Sequence, residues 1–497
     1  MKKILALILA CVMMISVFAS CNAENNNTET PSTESEESTS MEETTPDTTT
    51  AEATTDVETE VITTIETEDI TTIVTTEAES ETESETETES ETVEETTEEV
   101  TTTFLDTLNV SASNLSSAMQ NMFADEKSMW NETLFFIDKG ETKRLIYPAT
   151  KIISVTSYDG KTTYTEGVDY QLVDGKIQFL STTKIRVMTE SKYYGVSDAM
   201  LQTTKPDGTV SNTYWGEGTT MTMSQLRITY TYDSSWKGFE QKSNIQTYEN
   251  VIKKLIAGED VTFIFYGDSI TCGATSSWFV DTAPYKYSYS MLFTEAIADL
   301  FGYTVNYVNV SHLQSGMIKP TPNNYVAGTR GTINFINPSV GGWNTAQGLS
   351  NFDTFVKPYI QQYGCDLFSV AFGMNDGGTP VDNMVNSVKG IINKVTALSN
   401  DAHIAIVSTM VPNNIATNGW YGNQDKQEAA LLELAATLSA NGTKTAVTQM
   451  TSMSLSVLEY KAFVDYTGNN INHPNDFFNK IYAQTLFQSF IGYEYLA

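Results

Sequence analysis

The run VTFIFYGDSIT at positions 261–271 carries six apolar, β-branched or aromatic residues into Gly267-Asp268-Ser269. A serine hydroxyl is a poor nucleophile until an adjacent base takes its proton. The chain has three histidines, so the search for that base is short. His403 opens an apolar run and reads as structural. His312 follows a strand-like segment in a loop and is a candidate for a binding role. His473 lies in the polar stretch TGNNINHPNDFFNKIYA, and Pro474 after it biases it away from helical geometry. A loop imidazole of this kind suits a catalytic base. Acyl transfer also needs donors where negative charge develops on oxygen. Two loops could supply them. NPSVGGWNT at 337–345 holds Gly342, and AFGMNDGG at 371–378 ends a strand with Asn375. Each loop taken alone is equally good turn chemistry.

The elements that would hold these residues follow from periodicity. IQTYENVIKKLIAG is an amphipathic helix with Gly258 as its C-cap. Strand-like runs are expected at 261–266, 304–310, 365–373, 403–411 and 443–450. Helices are expected at about 284–301, 352–362, 380–399, 425–440 and 476–490. Alternating α and β with near-continuous apolar strands predicts a parallel sheet covered on both faces. Sites in such sheets gather outside the carboxyl ends of the strands, where Ser269 falls.

Taken in order, GDSIT, NPSVGGWNT, GMND and NHPND resemble the four blocks of the SGNH, or GDSL-type, hydrolase family. The likeness covers about 245–497. It implies a flavodoxin-like α/β/α sandwich and serine esterase chemistry with no cofactor and no metal. It further implies Ser269 as nucleophile, His473 as base, and an oxyanion hole of the Ser269 and Gly342 N–H groups with the Asn375 side chain. The family usually has Asp three residues before the histidine, and here that position is Asn470. The expected site is therefore a Ser–His dyad with Asn470 orienting the ring, Asp465 and Asp476 being alternative carboxylates. Trp343 and Trp278 are candidate sugar platforms or core residues.

Residues 104–240 carry short alternating runs broken by Asp159-Gly160, Asp174-Gly175 and Asp207-Gly208, which are hairpin signals. They predict a β-sandwich of jelly-roll type ahead of a catalytic domain at 241–497. Tyr193, Tyr194, Trp215 and Trp236 either hold sugar rings or pack this sandwich.

The formal charge of −34 over 497 residues is uneven. Residues 22–100 hold 27 Asp and Glu and no Lys or Arg, and the remainder after position 100 carries a net −9. Segment 22–103, nearly all Thr, Glu and Ser, has too little apolar surface to offset its ordering entropy and reads as a disordered linker. It is either a stalk or an inert spacer. Residues 1–21, MKKILALILACVMMISVFASC, read as a lipoprotein signal with Cys21 as the lipidated residue, or as an ordinary secretion signal. No later stretch approaches the ~20 apolar residues of a spanning helix. No basic patch points to nucleic acid. A cell-surface enzyme meeting extracellular polymers is thus expected, most simply one deacetylating a polysaccharide. A general lipase or small-ester esterase and a non-catalytic glycan-binding protein are the alternatives.

Overall fold

The computed structural model describes residues 104–497, apart from 124–126, 139, 206, 311–319 and 418. The signal segment, Cys21, the acidic linker and His312 lie outside the described residues. The described residues form one compact unit.

The first part is antiparallel. Strands β1 (Ser128–Phe135), β9 (Gln225–Tyr232), β3 (Ala149–Ser157) and β4 (Thr163–Tyr164) form one sheet in that order. Strands β2 (Thr142–Arg144), β6 (Lys176–Phe179) and β5 (Tyr170–Val173) form a second, and β7 (Gln202–Thr204) pairs with β8 (Val210–Asn212). The three Asp-Gly pairs turn the β3–β4, β5–β6 and β7–β8 hairpins. Asp174 and Gly175 both take positive φ, 49° and 74°, as a two-residue hairpin turn requires. Tyr193 and Trp236 are buried in this region rather than offered at its surface.

The second part is mixed α/β around a central sheet of seven strands. Its order is β12 (Tyr325–Val326), β11 (Thr304–Asn309), β13 (Thr332–Ile336), β10 (Val261–Gly267), β14 (Leu367–Ala371), β15 (His403–Val407) and β16 (Thr445–Thr448). All pairings are parallel except β11 with β12. Strands β12 and β13 were not foreseen. Both are short, and β13 nevertheless lies beside β10 in the middle of the sheet.

Strand β10 explains the two covering layers. Phe263 and Phe265 join one core cluster with Phe293 and Phe490, whereas Ile264 and Tyr266 join another with Phe352 and Phe368. Alternate side chains of a strand point to opposite faces, so a strand covered on both sides must be apolar throughout. Helices Tyr289–Phe301 and Asp476–Phe490 cover the first face. Thr345–Phe355, Val381–Leu398 and Gln424–Ala440 cover the second. His403 starts β15 and is buried, as expected of a structural residue. The chain leaves β10 for the strands on one side and returns to β14 on the other. That reversal places the crevice for a ligand at the carboxyl ends of β13, β10 and β14.

Candidate active site

Ser269 is the first residue of a single helical turn, Ser269–Cys272, that follows β10 directly. Asp268 caps it, accepting the Ile270 N–H at 3.0 Å. The Asp268 carboxyl also takes a hydrogen bond from the Met374 backbone, and burial pushes its pKa up to about 7. It therefore ties the Ser269 turn to the Gly-x-Asn block. The Gly267 N–H donates to Ser339 Oγ at 2.9 Å and the Val340 N–H to the Gly267 carbonyl at 3.2 Å. The loop bearing Gly342 is thereby laid against the same strand end. Gly342 has φ +79°, a left-handed conformation that glycine takes without strain, and a side chain added there would meet only open space. Asn375 donates from Nδ2 to the Trp343 carbonyl at 3.0 Å, so the third block is joined to the second. One of its two amide hydrogens is used in that bond.

His473 closes the site. Its Nε2 lies 2.8 Å from Ser269 Oγ. The loop that presents it turns about Asn469, whose Oδ1 accepts the backbone N–H groups of Ile471, Asn472 and His473 at 2.9, 3.0 and 3.0 Å. Gly468, at the base of the loop, presses on Thr275, and a Cβ there would stand 2.2 Å from Thr275 Oγ1. Only glycine lets the loop after Ser269 and the histidine loop approach this closely. Ser269 and His473 are both buried, with 3% of their surface accessible.

The other imidazole nitrogen meets a residue that the sequence did not suggest. His473 Nδ1 lies 2.8 Å from Glu217 Oε2. Glu217 belongs to the segment between β8 and β9, 256 residues away along the chain. One backbone and one side-chain hydrogen bond fix that segment on the histidine loop: the Gly216 N–H donates to the Asn469 carbonyl at 3.2 Å, and Asn470 Nδ2 donates to the Tyr214 carbonyl at 2.8 Å. Asn469 Nδ2 is also 3.0 Å from His473 Nδ1, but its two hydrogens are taken by Glu217 Oε1 at 2.9 Å and Asn472 Oδ1 at 3.0 Å. Proton counting then places a hydrogen on His473 Nδ1, donated to Glu217, and leaves Nε2 free to accept from Ser269. Desolvation works against ionisation of Glu217. The His473 charge and the hydrogen bonds from His473 and Asn469 outweigh it and hold the carboxyl below the usual range. The side chain keeps 45% of its surface accessible.

Asn470 does not orient the ring. It has φ +65°, and its side chain is held by Tyr214 and by Asn413, whose Nδ2 donates to Asn470 Oδ1 at 3.1 Å. Asp465 accepts from Lys143 Nζ and the Phe135 N–H, both at 2.8 Å. Asp476 accepts the Ser277 N–H at 2.7 Å. Neither carboxylate reaches His473. Trp343 is half-buried edge-on to Phe355, and Trp278 is edge-on to Tyr287. The only sequence hint of Glu217 was an acidic residue between two glycines in Trp-Gly-Glu-Gly.

No protein-family model and no curated protein matches the chain. Solved structures do. One is a two-domain esterase active on acetylated mannans, at 17% identity over 50% of this chain and 53% of that one, with TM-score 0.35. Another is an acetylxylan esterase from Geobacillus stearothermophilus, at 13% identity over 48% and 96%, TM-score 0.32. A third is a member of the lipolytic G-D-S-L family from Veillonella parvula, at 14% identity over 46% and 98%, TM-score 0.30. These three proteins are what this chain is similar to. The match spans about half the length of the mannan-active esterase.

Proposed function

We propose that the protein is a serine carboxylic ester hydrolase of SGNH type that removes acetyl groups from an extracellular polysaccharide. The observation that carries the reading is the line Ser269 Oγ, His473, Glu217, with 2.8 Å at each junction. In the proposed reaction His473 Nε2 takes the Ser269 proton as Oγ bonds to the ester carbonyl carbon. Glu217 holds the imidazolium that forms, in the role a buried carboxylate plays in a catalytic triad. The Ser269 and Gly342 N–H groups and the unused Asn375 hydrogen hold the oxyanion. The C–O bond to the sugar then breaks, and the proton on Nε2 passes to the departing hydroxyl. Water attacks the acetyl-enzyme, gives its proton to Nε2, and acetate leaves as Ser269 Oγ recovers the proton. The secretion-type N-terminus and acidic linker support a lipid-anchored surface location. Acetate release from acetylated xylan and acetylated mannan tests the reading. Wild type should release it, and Ser269→Ala, folded equally by circular dichroism, should not. Comparison of 4-nitrophenyl acetate with the octanoate separates a deacetylase from a general lipase.

A further inference from the structure

A second built surface lies on the antiparallel part, against the helix that follows the histidine loop. Strand β1 is interrupted there. Its register with β9 shifts between Met129 and Glu132, and Asn131 takes φ +54°. This is a β-bulge, a device that re-aims side chains and is common beside functional sites. Here it leaves Trp130 with 37% of its surface exposed, a large value for an indole in a strand otherwise mostly buried. Lys480, from helix Asp476–Phe490, holds the bulge by donating from Nζ to the Trp130 carbonyl at 2.7 Å.

Trp130 and Lys480 line one pocket with Arg227, Lys286, Tyr158 and Asp476. Among the described residues the side chains of Arg227 and Lys286 make no hydrogen bond or ion pair. Asp476 uses one oxygen on the Ser277 N–H, and its Oδ2 is buried with no hydrogen bond made to it. Burial raises the pKa of that carboxyl, and the Arg227 charge works against the rise. The pocket thus offers two cationic side chains with no hydrogen bond of their own, Arg227 standing in the field of Asp476, and an exposed aromatic face; Lys480 is already engaged, and burial pushes its pKa down to about 7.

We infer that this pocket binds a carboxylate-bearing sugar ring, a uronic acid residue, with its carboxylate on Arg227 and Lys286 and its ring face on Trp130. The guanidinium presents a planar fork matched to a carboxylate, and the indole supplies a flat apolar surface for the C–H face of a pyranose. Lys480 keeps its structural bond to the bulge. None of these groups touches Ser269, so the inference is independent of the esterase reading.

Two probes differing only at C6, 4-nitrophenyl β-glucuronide and 4-nitrophenyl β-glucoside, test it. Binding is measured by calorimetry on the full chain carrying Ser269→Ala. The glucuronide should bind at least about tenfold more tightly than the glucoside. Arg227→Gln and Trp130→Ala should each weaken glucuronide binding about tenfold or more. In a Ser269 background the same two changes should leave 4-nitrophenyl acetate hydrolysis unaltered. Lys286→Gln, at an exposed position that tolerates change, should weaken glucuronide binding severalfold even if Arg227→Gln fails to fold. Equal affinity for the two glycosides, or glucuronide binding indifferent to Arg227 or Lys286, overturns the inference.

Discussion

Replacing Glu217 by Gln removes one negative charge and little volume from the end of the Ser269–His473 line. The charge centres in the Glu217–imidazolium pair are about 4 Å apart, which corresponds to about 4 kcal/mol at an effective dielectric near 20 and about 1 kcal/mol in bulk water. Because 45% of the Glu217 side chain is accessible, solvent screens it and the value falls between these limits. The loss in kcat should therefore lie between about 5-fold and about 10³-fold, near 10². It should be smaller than the ~10⁴ seen where a fully buried triad carboxylate is replaced. A second effect has the same sign. The new amide can donate to Nδ1, and Asn469 Nδ2, 3.0 Å from that nitrogen, can do so too once its carboxylate partner is gone. Either donation selects the tautomer whose Nε2 carries the proton, and that nitrogen cannot accept from Ser269. Hydrolysis of 4-nitrophenyl acetate reads both effects. A variant with unchanged melting temperature and kcat within threefold of wild type would refute the role given to Glu217.

Asn375→Ala should lower kcat by roughly 10²–10³ with a smaller change in KM, as loss of one oxyanion donor does, and steady-state kinetics on 4-nitrophenyl acetate will show it. Asn470→Asp should lower the melting temperature, because a carboxylate would replace the amide that donates to the Tyr214 carbonyl; an unchanged melting temperature would refute that bond. His403 is buried with neither ring nitrogen hydrogen-bonded, and burial lowers its pKa to about 4. The unfolded chain binds its proton near 6.5, so stability should be level above that pH and fall by up to ~3 kcal/mol as pH drops toward 4. Urea midpoints of His403→Leu should show a flatter dependence over this window, and parallel curves would count against the assignment.

Much of the site was legible because its parts are local. The turn after β10 is announced by an apolar run that ends in Gly-Asp-Ser, and the loops of Gly342, Asn375 and His473 each carry their own glycine, proline or asparagine signature. Periodicity gave the helices of the first layer and two of the second, since each must bury one stripe, but the single helix expected at 352–362 proves to be two, Thr345–Phe355 and Lys357–Tyr363, broken at Val356 ahead of Pro358. Strand β13 escaped because five residues, Thr332–Ile336, are too few to separate a buried strand from a loop by pattern. Glu217 escaped for a different reason. Its partner lies 256 residues away, and nothing in a linear pattern encodes a contact made through space. The alternative carboxylates were sought near His473 along the chain, and both prove to be engaged elsewhere.

The position of Glu217 changes what the antiparallel part must be. A binding module on a tether would leave the catalytic groups complete without it. Here the segment that supplies the carboxylate is bonded to the histidine loop, and neighbouring strands grip the same loop from other sides. Gln225 of β9 donates to the Val464 and Thr467 carbonyls at 2.8 and 2.7 Å, and Thr133 of β1 donates to the Asp465 carbonyl at 2.6 Å. Behind them Glu132 and Lys461 form an ion pair at 2.6 Å with neither side chain accessible, and Tyr230 donates to the same carboxylate at 2.7 Å. A buried pair of this kind is weak evidence for stability, but it strongly penalises any arrangement that separates its partners. It therefore fixes register between β1 and the segment before the histidine loop. A carboxylate that must sit within hydrogen-bond reach of an imidazole needs such fixing, because a shift of about 1 Å is enough to cost 10²-fold in rate. On the proposed reading, the antiparallel part is therefore the source of a catalytic group, Glu217, and not a separable binding module.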